Sequence, residues 1–232
     1  YRVNEKTTER RNILYFDKIL DFSYAPEGTR LVMSAVKDGT TDIYIHTIAS
    51  GTNEQITRDV ADDLHPSFLK DSPDEIIFSS NRLSDTLVNN ADPFEKLAPV
   101  FDLFTYNLNK RSNILTRLPE GRFTDRFQAI PISRNKITYL GDQNGVFNRY
   151  VGTFDSTISY IDTVTHFRYF IKSYPVTNYD RNILNQSVAN GPGVFGEILF
   201  NKRKFNLRKG DFGEQSRIPE SDILTTEYRK EK

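Results

Sequence analysis

The sequence contains no cysteine and no tryptophan, a single methionine and three histidines. Without cysteine there is no disulfide, no thiolate metal cluster and no cysteine nucleophile, and folding is indifferent to whether the compartment oxidises or reduces. Net charge is missing too, because 31 basic side chains balance 31 acidic ones. That removes the electrostatic footprint of a nucleic-acid binder or a polybasic membrane binder. No window approaches the run of about 18 apolar residues that marks a membrane-spanning helix. The N-terminus, Tyr1-Arg2-Val3-Asn4-Glu5-Lys6, is neither a Met start nor a charged-then-apolar secretory signal, so the expectation is a chain that begins inside a longer polypeptide. What remains is a 232-residue chain that is 37% hydrophobic, enough for one domain with a real core.

A repeat of about 45 residues organises the chain. Leu31-Val32-Met33-Ser34 lies 45 positions before Ile76-Ile77-Phe78-Ser79, and a third copy, Ile137-Thr138-Tyr139-Leu140, follows Ser133-Arg134-Asn135. The downstream halves keep register: Met33 precedes Tyr44 by 11 residues and Tyr139 precedes Tyr150 by the same 11. From Phe78 to Phe104 the step is 26, so 15 residues are inserted at one place. Each unit closes with another short run, at Glu54-Gln55-Ile56-Thr57, Asn113-Ile114-Leu115-Thr116 and Thr157-Ile158-Ser159-Tyr160. The runs are rich in Ile, Val, Phe and Tyr and are separated by Asp38-Gly39, Ser50-Gly51 and Asn144-Gly145, which makes them strands joined by turns. Four short antiparallel strands per unit of this length describe a β-propeller blade. A β-sandwich with chance similarity between strands is the competing architecture, and the matched spacings and turns weigh against it.

Phe22-Ser23-Tyr24-Ala25-Pro26-Glu27-Gly28-Thr29-Arg30-Leu31-Val32-Met33-Ser34, with Asp38-Gly39 and Asp42-Ile43-Tyr44, resembles the TolB-type WD-like propeller repeat, which reads roughly P-x-F-S-P-D-G-x-x-I-x-F-x-S, then D-G, then D-I-Y. Unit two matches through His65-Pro66-Ser67-Phe68, Ser72-Pro73-Asp74 and Ile76 to Arg82, while unit three lacks the Pro-Asp-Gly turn. The resemblance covers residues 19 to about 165 and specifies a repeat rather than a function. It implies an all-β chain of antiparallel four-stranded blades, a partial or open propeller of about three to four. The expected organisation is a strand or tail from a preceding element in residues 1–18, blade one in 19–63, blade two in 64–125 and blade three in 126–165. An incomplete fourth blade would occupy 166–208 and a charged tail or linker 209–232. Ile13-Leu14-Tyr15-Phe16 falls where a strand of a preceding blade would lie. The expected core is Phe22, Leu31, Met33, Ile43, Ile45, Phe68, Ile76, Phe78, Leu103 and Ile137.

Chemistry is sparse. Gly191-Pro192-Gly193-Val194-Phe195-Gly196 spells the dinucleotide fingerprint, but Glu197-Ile198-Leu199-Phe200 continues as a strand where that motif must open a helix. His46, His65 and His166 fall on different elements, with only His65 near an inner strand, so no metal is expected at the axis. Asp59, Asp62 and Asp63, beside Arg58, read as a solvated loop rather than a cation site. No G-x-S-x-G elbow is present, and no Ser-Asp-His order can be argued from these histidines. Neither a catalytic group nor a cofactor is assigned.

The departure from the bare repeat is the insertion, residues 84–101, which carries Leu87, Val88, Phe94, Leu97, Val100 and Phe101. A long connection with this apolar content either folds back on its own blade or docks a partner. Leu87, Val88, Phe94, Leu97 and Phe101 are the candidate partner-binding residues. The expected function is a non-catalytic protein-binding or scaffold module. By the resemblance, it belongs to the periplasm or envelope of a Gram-negative bacterium and has an envelope-associated protein as partner. The alternative is the accessory propeller of an enzyme, a prolyl oligopeptidase-like gate or a carbohydrate lyase.

Overall fold

The computed structural model describes residues 2–3, 8–9, 13–88, 96–118, 124–189 and 193–230. After a two-residue pair, β1 (Arg2–Val3) with β2 (Thr8–Glu9), the chain forms four consecutive antiparallel meanders. The first holds β3 (Lys18–Tyr24), β4 (Arg30–Lys37), β5 (Thr40–Thr47) and β6 (Thr52–Gln55). The second holds β7 (Asp63–Leu69), β8 (Ser72–Arg82), β9 (Leu97–Asn107) and β10 (Thr116–Arg117). The third holds β11 (Arg126–Ser133), β12 (Lys136–Gly141), β13 (Asn148–Ile161) and β14 (Thr165–Pro175). The fourth has three strands, β15 (Ile183–Val188), β16 (Val194–Asn201) and β17 (Lys204–Asp211). The first strands β3, β7, β11 and β15 neighbour one another in that order. This is the expected fold class, an open propeller arc.

The repeat spacing is a pairing register. Met33 lies opposite Tyr44, Phe78 opposite Phe104 and Tyr139 opposite Tyr150. Asp38 and Gly39 both have positive φ, 52° and 88°, as the two central residues of a hairpin turn matched to strand twist require. Asn144-Gly145 does not form such a two-residue turn. It sits in a six-residue connection, 142–147, between β12 and β13.

Apolar faces meet between successive sheets. Val32, Ile43 and Ile45 of the first pack with Phe68, Ile76, Phe78 and Phe104 of the second. Ile77 and Leu103 pack with Ile137, Tyr139 and Tyr150 of the third. Leu140 meets Ile183 and Leu199 of the fourth. Eight of the ten expected core residues are buried. Leu31 is only half-buried and Phe22 is 54% exposed, a correction to the expected core. Phe22 pairs with Met33 on the face of the first sheet turned away from the second. Alternation assigns a residue to a face but does not say whether that face has a neighbour. Ile13 and Phe16 cover part of it from a turn rather than a strand, with Phe16 4.6 Å from Tyr44 between ring centres. At the other end of the arc Phe205 and Leu207 are exposed on β17.

The third sheet also differs from expectation. Thr157 to Tyr160 is no closing strand but the outer part of β13, and the fourth strand is β14. No turn interrupts the run before Asp162, so the two strands continue past the blade as a projecting hairpin. One face carries Ile158, Phe167 and Tyr169, all exposed, and the other Asp155 paired with Lys172.

In each meander the connections from second to third strand fall at the same end as the links from sheet to sheet, here called the linker end. The projecting hairpin lies at the opposite end.

Candidate contact sites at the axis and the linker end

Every innermost strand carries a bulge at the same level, between Ile19 and Asp21, Leu64 and Ser67, Phe127 and Ile130, and Ile183 and Asn185. In two of them the extra residue is held at positive φ, His65 at 52° and Gln128 at 51°. Such backbone costs a non-glycine residue about 1–3 kcal/mol and persists only where the surroundings enforce it. The bulges turn polar groups toward the axis. His65 Nδ1 lies 3.1 Å from Asp21 Oδ2. Gln128 Oε1 accepts the Gln186 backbone N–H at 3.0 Å, and the Gln128 carbonyl accepts Gln186 Nε2 at 2.8 Å. These groups border a cavity of about 280 Å³ shared by all four innermost strands. Toward the linker end a second cavity of the same volume is lined by Phe127, Leu140, Phe147 and Leu184 beside His65. Phe127 centres an aromatic group there, 4.8 Å from Phe101, 5.6 Å from Phe147 and 6.0 Å from His65. The axis is thus polar in its depth and aromatic at its mouth. Sequence reading noticed His65 but not Asp21, Gln128 or Gln186, because only the shared level of the bulges brings them together.

The three histidines do not converge. His46 on β5 meets Asn53 at 2.9 Å, and His166 on the projecting hairpin meets Asp162 at 3.2 Å and stacks on Tyr160. Gly191 and Pro192 of the glycine-rich stretch lie outside the described residues, and Val194 opens a strand.

The acidic cluster overturns the solvated-loop reading. Asp59 and Asp63 are buried, and Arg82, at the end of β8, reaches both, at 2.9 and 2.7 Å. Burial works against the Arg82 charge, but the Asp63 and Asp59 carboxylates outweigh it and hold the guanidinium above its ordinary value. Asp42 joins Asp59 and Asp63 so that oxygens of all three lie within 4.8 Å of one another. Burial, opposed by the Thr40 hydrogen bond and reinforced by the Asp63 and Asp59 charges, pushes Asp42 up to about 6. Its oxygens already accept from Thr40, Thr57 and Gln55. The cluster is a closed ion-pair network at the first junction between sheets.

Equivalent positions elsewhere carry different charges. Thr57 accepts the Ile43 N–H and donates to Asp42, and Thr177 likewise accepts the Arg149 N–H and donates to Asn148. In the second sheet Arg117 stands opposite Phe104 as Gln55 stands opposite Tyr44, so an arginine replaces the glutamine that reaches the aspartate. Asp102 bridges Arg117 at 3.1 Å and Arg126 of the third sheet at 2.8 Å. At the third junction Arg149 meets Glu197 and Gln186.

The inserted connection leaves from the linker end. Its last part, from Leu97 on, belongs to β9, and its first part is tied down by hydrogen bonds from Leu87 N to Asn113 O and from Leu115 N to Asp85 O. Leu87 packs against the first core cluster, and Phe101 turns onto Phe127. Val88 and Leu97 are each 40% exposed. Phe94 lies outside the described residues.

Among solved structures, the chain is similar to TolB from Acinetobacter baumannii, with 14% identity and a TM-score of 0.58 over 86% of this chain and 42% of that one. It is similar to a putative TolB from Agrobacterium tumefaciens, with 11% identity and a TM-score of 0.59 over 87% of this chain and 65% of that one. A Mycobacterium tuberculosis puromycin-hydrolyzing peptidase matches with 8% identity and a TM-score of 0.52, over 87% of this chain and 31% of that one. The chain therefore spans less than two thirds of each. No family model and no curated protein matches the sequence. The likeness is one of fold, and that fold is a TolB-like propeller.

Proposed function

We propose that this TolB-like propeller acts by contact, as a non-catalytic protein-binding module of a Gram-negative cell envelope, and that its linker end is the contact face. The observation that carries the reading is the arrangement there: Val88 and Leu97 stand exposed on the inserted connection, while Phe101 from the same connection joins the aromatic mouth of the axis at Phe127. Recognition surfaces combine such aromatic anchors with a rigid scaffold, and here four sheets supply the rigidity. The sequence resemblance to TolB-type repeats supports the envelope location.

The test replaces Val88 and Leu97 by Asp in one variant and Tyr169, at the opposite end, by Asp in another. Both are compared with the parent for capture of an identified partner from an envelope extract, with melting temperature as the control for folding. Loss of that partner in the first variant alone supports the reading, and equal capture by all three proteins removes the linker end from the interface. A second reading, an accessory propeller of an enzyme, is favoured by the fold likeness to the mycobacterial peptidase. A hydrolase domain in the full-length polypeptide would decide for it.

A further inference from the structure

The charged C-terminal segment does not trail away from the body. After β17 it returns across the linker end of the third sheet, where Ile218 N donates to Pro175 O. Two asparagines then hold it. Asn178 takes both polar atoms of its amide to the segment, donating to Asp222 O at 2.7 Å and accepting from Leu224 N at 2.9 Å. Asn144, itself buried, donates to Leu224 O at 3.1 Å, and its own carbonyl accepts Thr226 N at 3.0 Å and Thr226 Oγ1 at 2.9 Å.

The groups gripped are Asp222 O, Leu224 N and O, and Thr226 N, main-chain atoms spaced two residues apart, plus one hydroxyl. Between a 3-10 turn that ends at Asp222 and a short helix that opens at Glu227, the stretch is thus held by its main chain, as an extended peptide is read along one edge. The side chains agree, since Leu224 is 59% exposed and Asp222 and Thr225 are exposed. Ile218 and Ile223 are only half-buried, so apolar contact adds to the main-chain grip without replacing it. A tethered segment sees its site at an effective concentration near millimolar, so a modest intrinsic affinity suffices to keep it there.

We propose that Asn144 and Asn178 form a clamp for extended peptides, that residues 222–226 are its resident ligand, and that a segment of another protein can displace them. The ligand class is an extended segment with Ser or Thr two residues beyond the one gripped on both its N–H and its C=O. This inference is independent of the role assigned to the inserted connection.

The experiment uses the full chain, labelled with ¹⁵N, and a variant carrying Leu224→Pro and Thr226→Pro, which deletes the two gripped N–H groups. An unlabelled peptide with the sequence of residues 216–230 is titrated into both, following the side-chain amide resonances of Asn144 and Asn178. The expected result is a variant that melts like the parent and whose two amides return saturably to their parental positions as peptide is added. The parent should need at least tenfold more peptide, and a Thr226→Val peptide should bind more weakly than the natural one. Adding Asn178→Ala to the released variant should abolish the response. Absence of a saturable response in the released variant would overturn the proposal. So would loss of the third sheet's fold in that variant, because the strap would then be a structural part of the blade. Amide hydrogen exchange in full-length Asn178→Ala gives a second reading: faster exchange confined to Leu224 and Thr226 supports the clamp, and unchanged exchange there overturns it.

Discussion

Arg149 and Glu197 form an ion pair at 2.8 Å in which the side chains are 0% and 1% exposed, and the Arg149 guanidinium lies 3.7 Å above the Phe195 ring centre. Burial holds the Arg149 pKa below its ordinary value, with the Glu197 charge working the other way. The pair joins the third sheet to the fourth at a point where water cannot take over for either partner.

Removing one partner should therefore cost far more than removing both. Glu197→Leu alone strands a buried guanidinium and is expected to cost about 3–5 kcal/mol, whereas Arg149→Met with Glu197→Leu should recover most of that loss. Urea unfolding of the three proteins, followed by circular dichroism, measures the difference.

Asp42 should make stability depend on pH. Its folded pKa, about 6, lies above the ordinary 3.8, so the folded state holds the proton more tightly. Stability from this group is present below about 3.8 and is lost as pH rises through about 6, up to about 3 kcal/mol in all. Asn148 occupies the equivalent place in the third sheet and accepts from Thr177 as Asp42 does from Thr57, so asparagine fits the site. Asp42→Asn should be more stable than the parent at pH 8, with the difference closing by pH 4 to 5.

Two phenylalanines separate the packed junctions from the open end of the arc. Phe78 is fully buried and stacks on Phe104 at 6.2 Å, so Phe78→Ala is expected to cost about 3–5 kcal/mol. Phe22→Ala should cost less than about 1 kcal/mol in this chain, because the ring is already in water. Equal losses in thermal denaturation would mean that the first face is covered in solution.

The projecting hairpin is expected to be dispensable for folding. Replacing residues 156–169 by Asn-Gly should shift the melting temperature by no more than a few degrees, since two strands with no third partner add little stability. Because Ile158, Phe167 and Tyr169 form an exposed apolar face, the trimmed protein should also stay monomeric to higher concentration in light scattering.

The fold was legible because its signals are local. Hairpin turns and strand spacing set the register, and the pairs Met33 with Tyr44, Phe78 with Phe104 and Tyr139 with Tyr150 follow from counting. What depended on a distant neighbour was not legible. Phe22 alternates like a core residue but has no sheet opposite it among the described residues. Asp59 and Asp63 stand next to Arg58 in the chain, yet their partner is Arg82, 23 and 19 residues on. The axial groups Asp21, Gln128 and Gln186 come from three repeats, and nothing in any one of them marks a polar axis.

The junction charges also govern what rearrangement the arc tolerates. Repeat proteins are often treated as interchangeable modules, but here each seam carries its own address: three aspartates with one arginine, then one aspartate between two arginines, then one arginine with one glutamate. Exchanging the second and third blades would put Asp42 and Arg126 on one seam and Asp102 and Glu197 on another. The first of these seams is matched in sign. The second faces Asp102 with Glu197 and leaves Arg117 alone to serve both carboxylates, where two arginines now serve one, in surroundings too dry to screen the excess. Circular shuffling would thus fail at a particular seam rather than everywhere, and the order of the blades is enforced by charge although their shapes are alike.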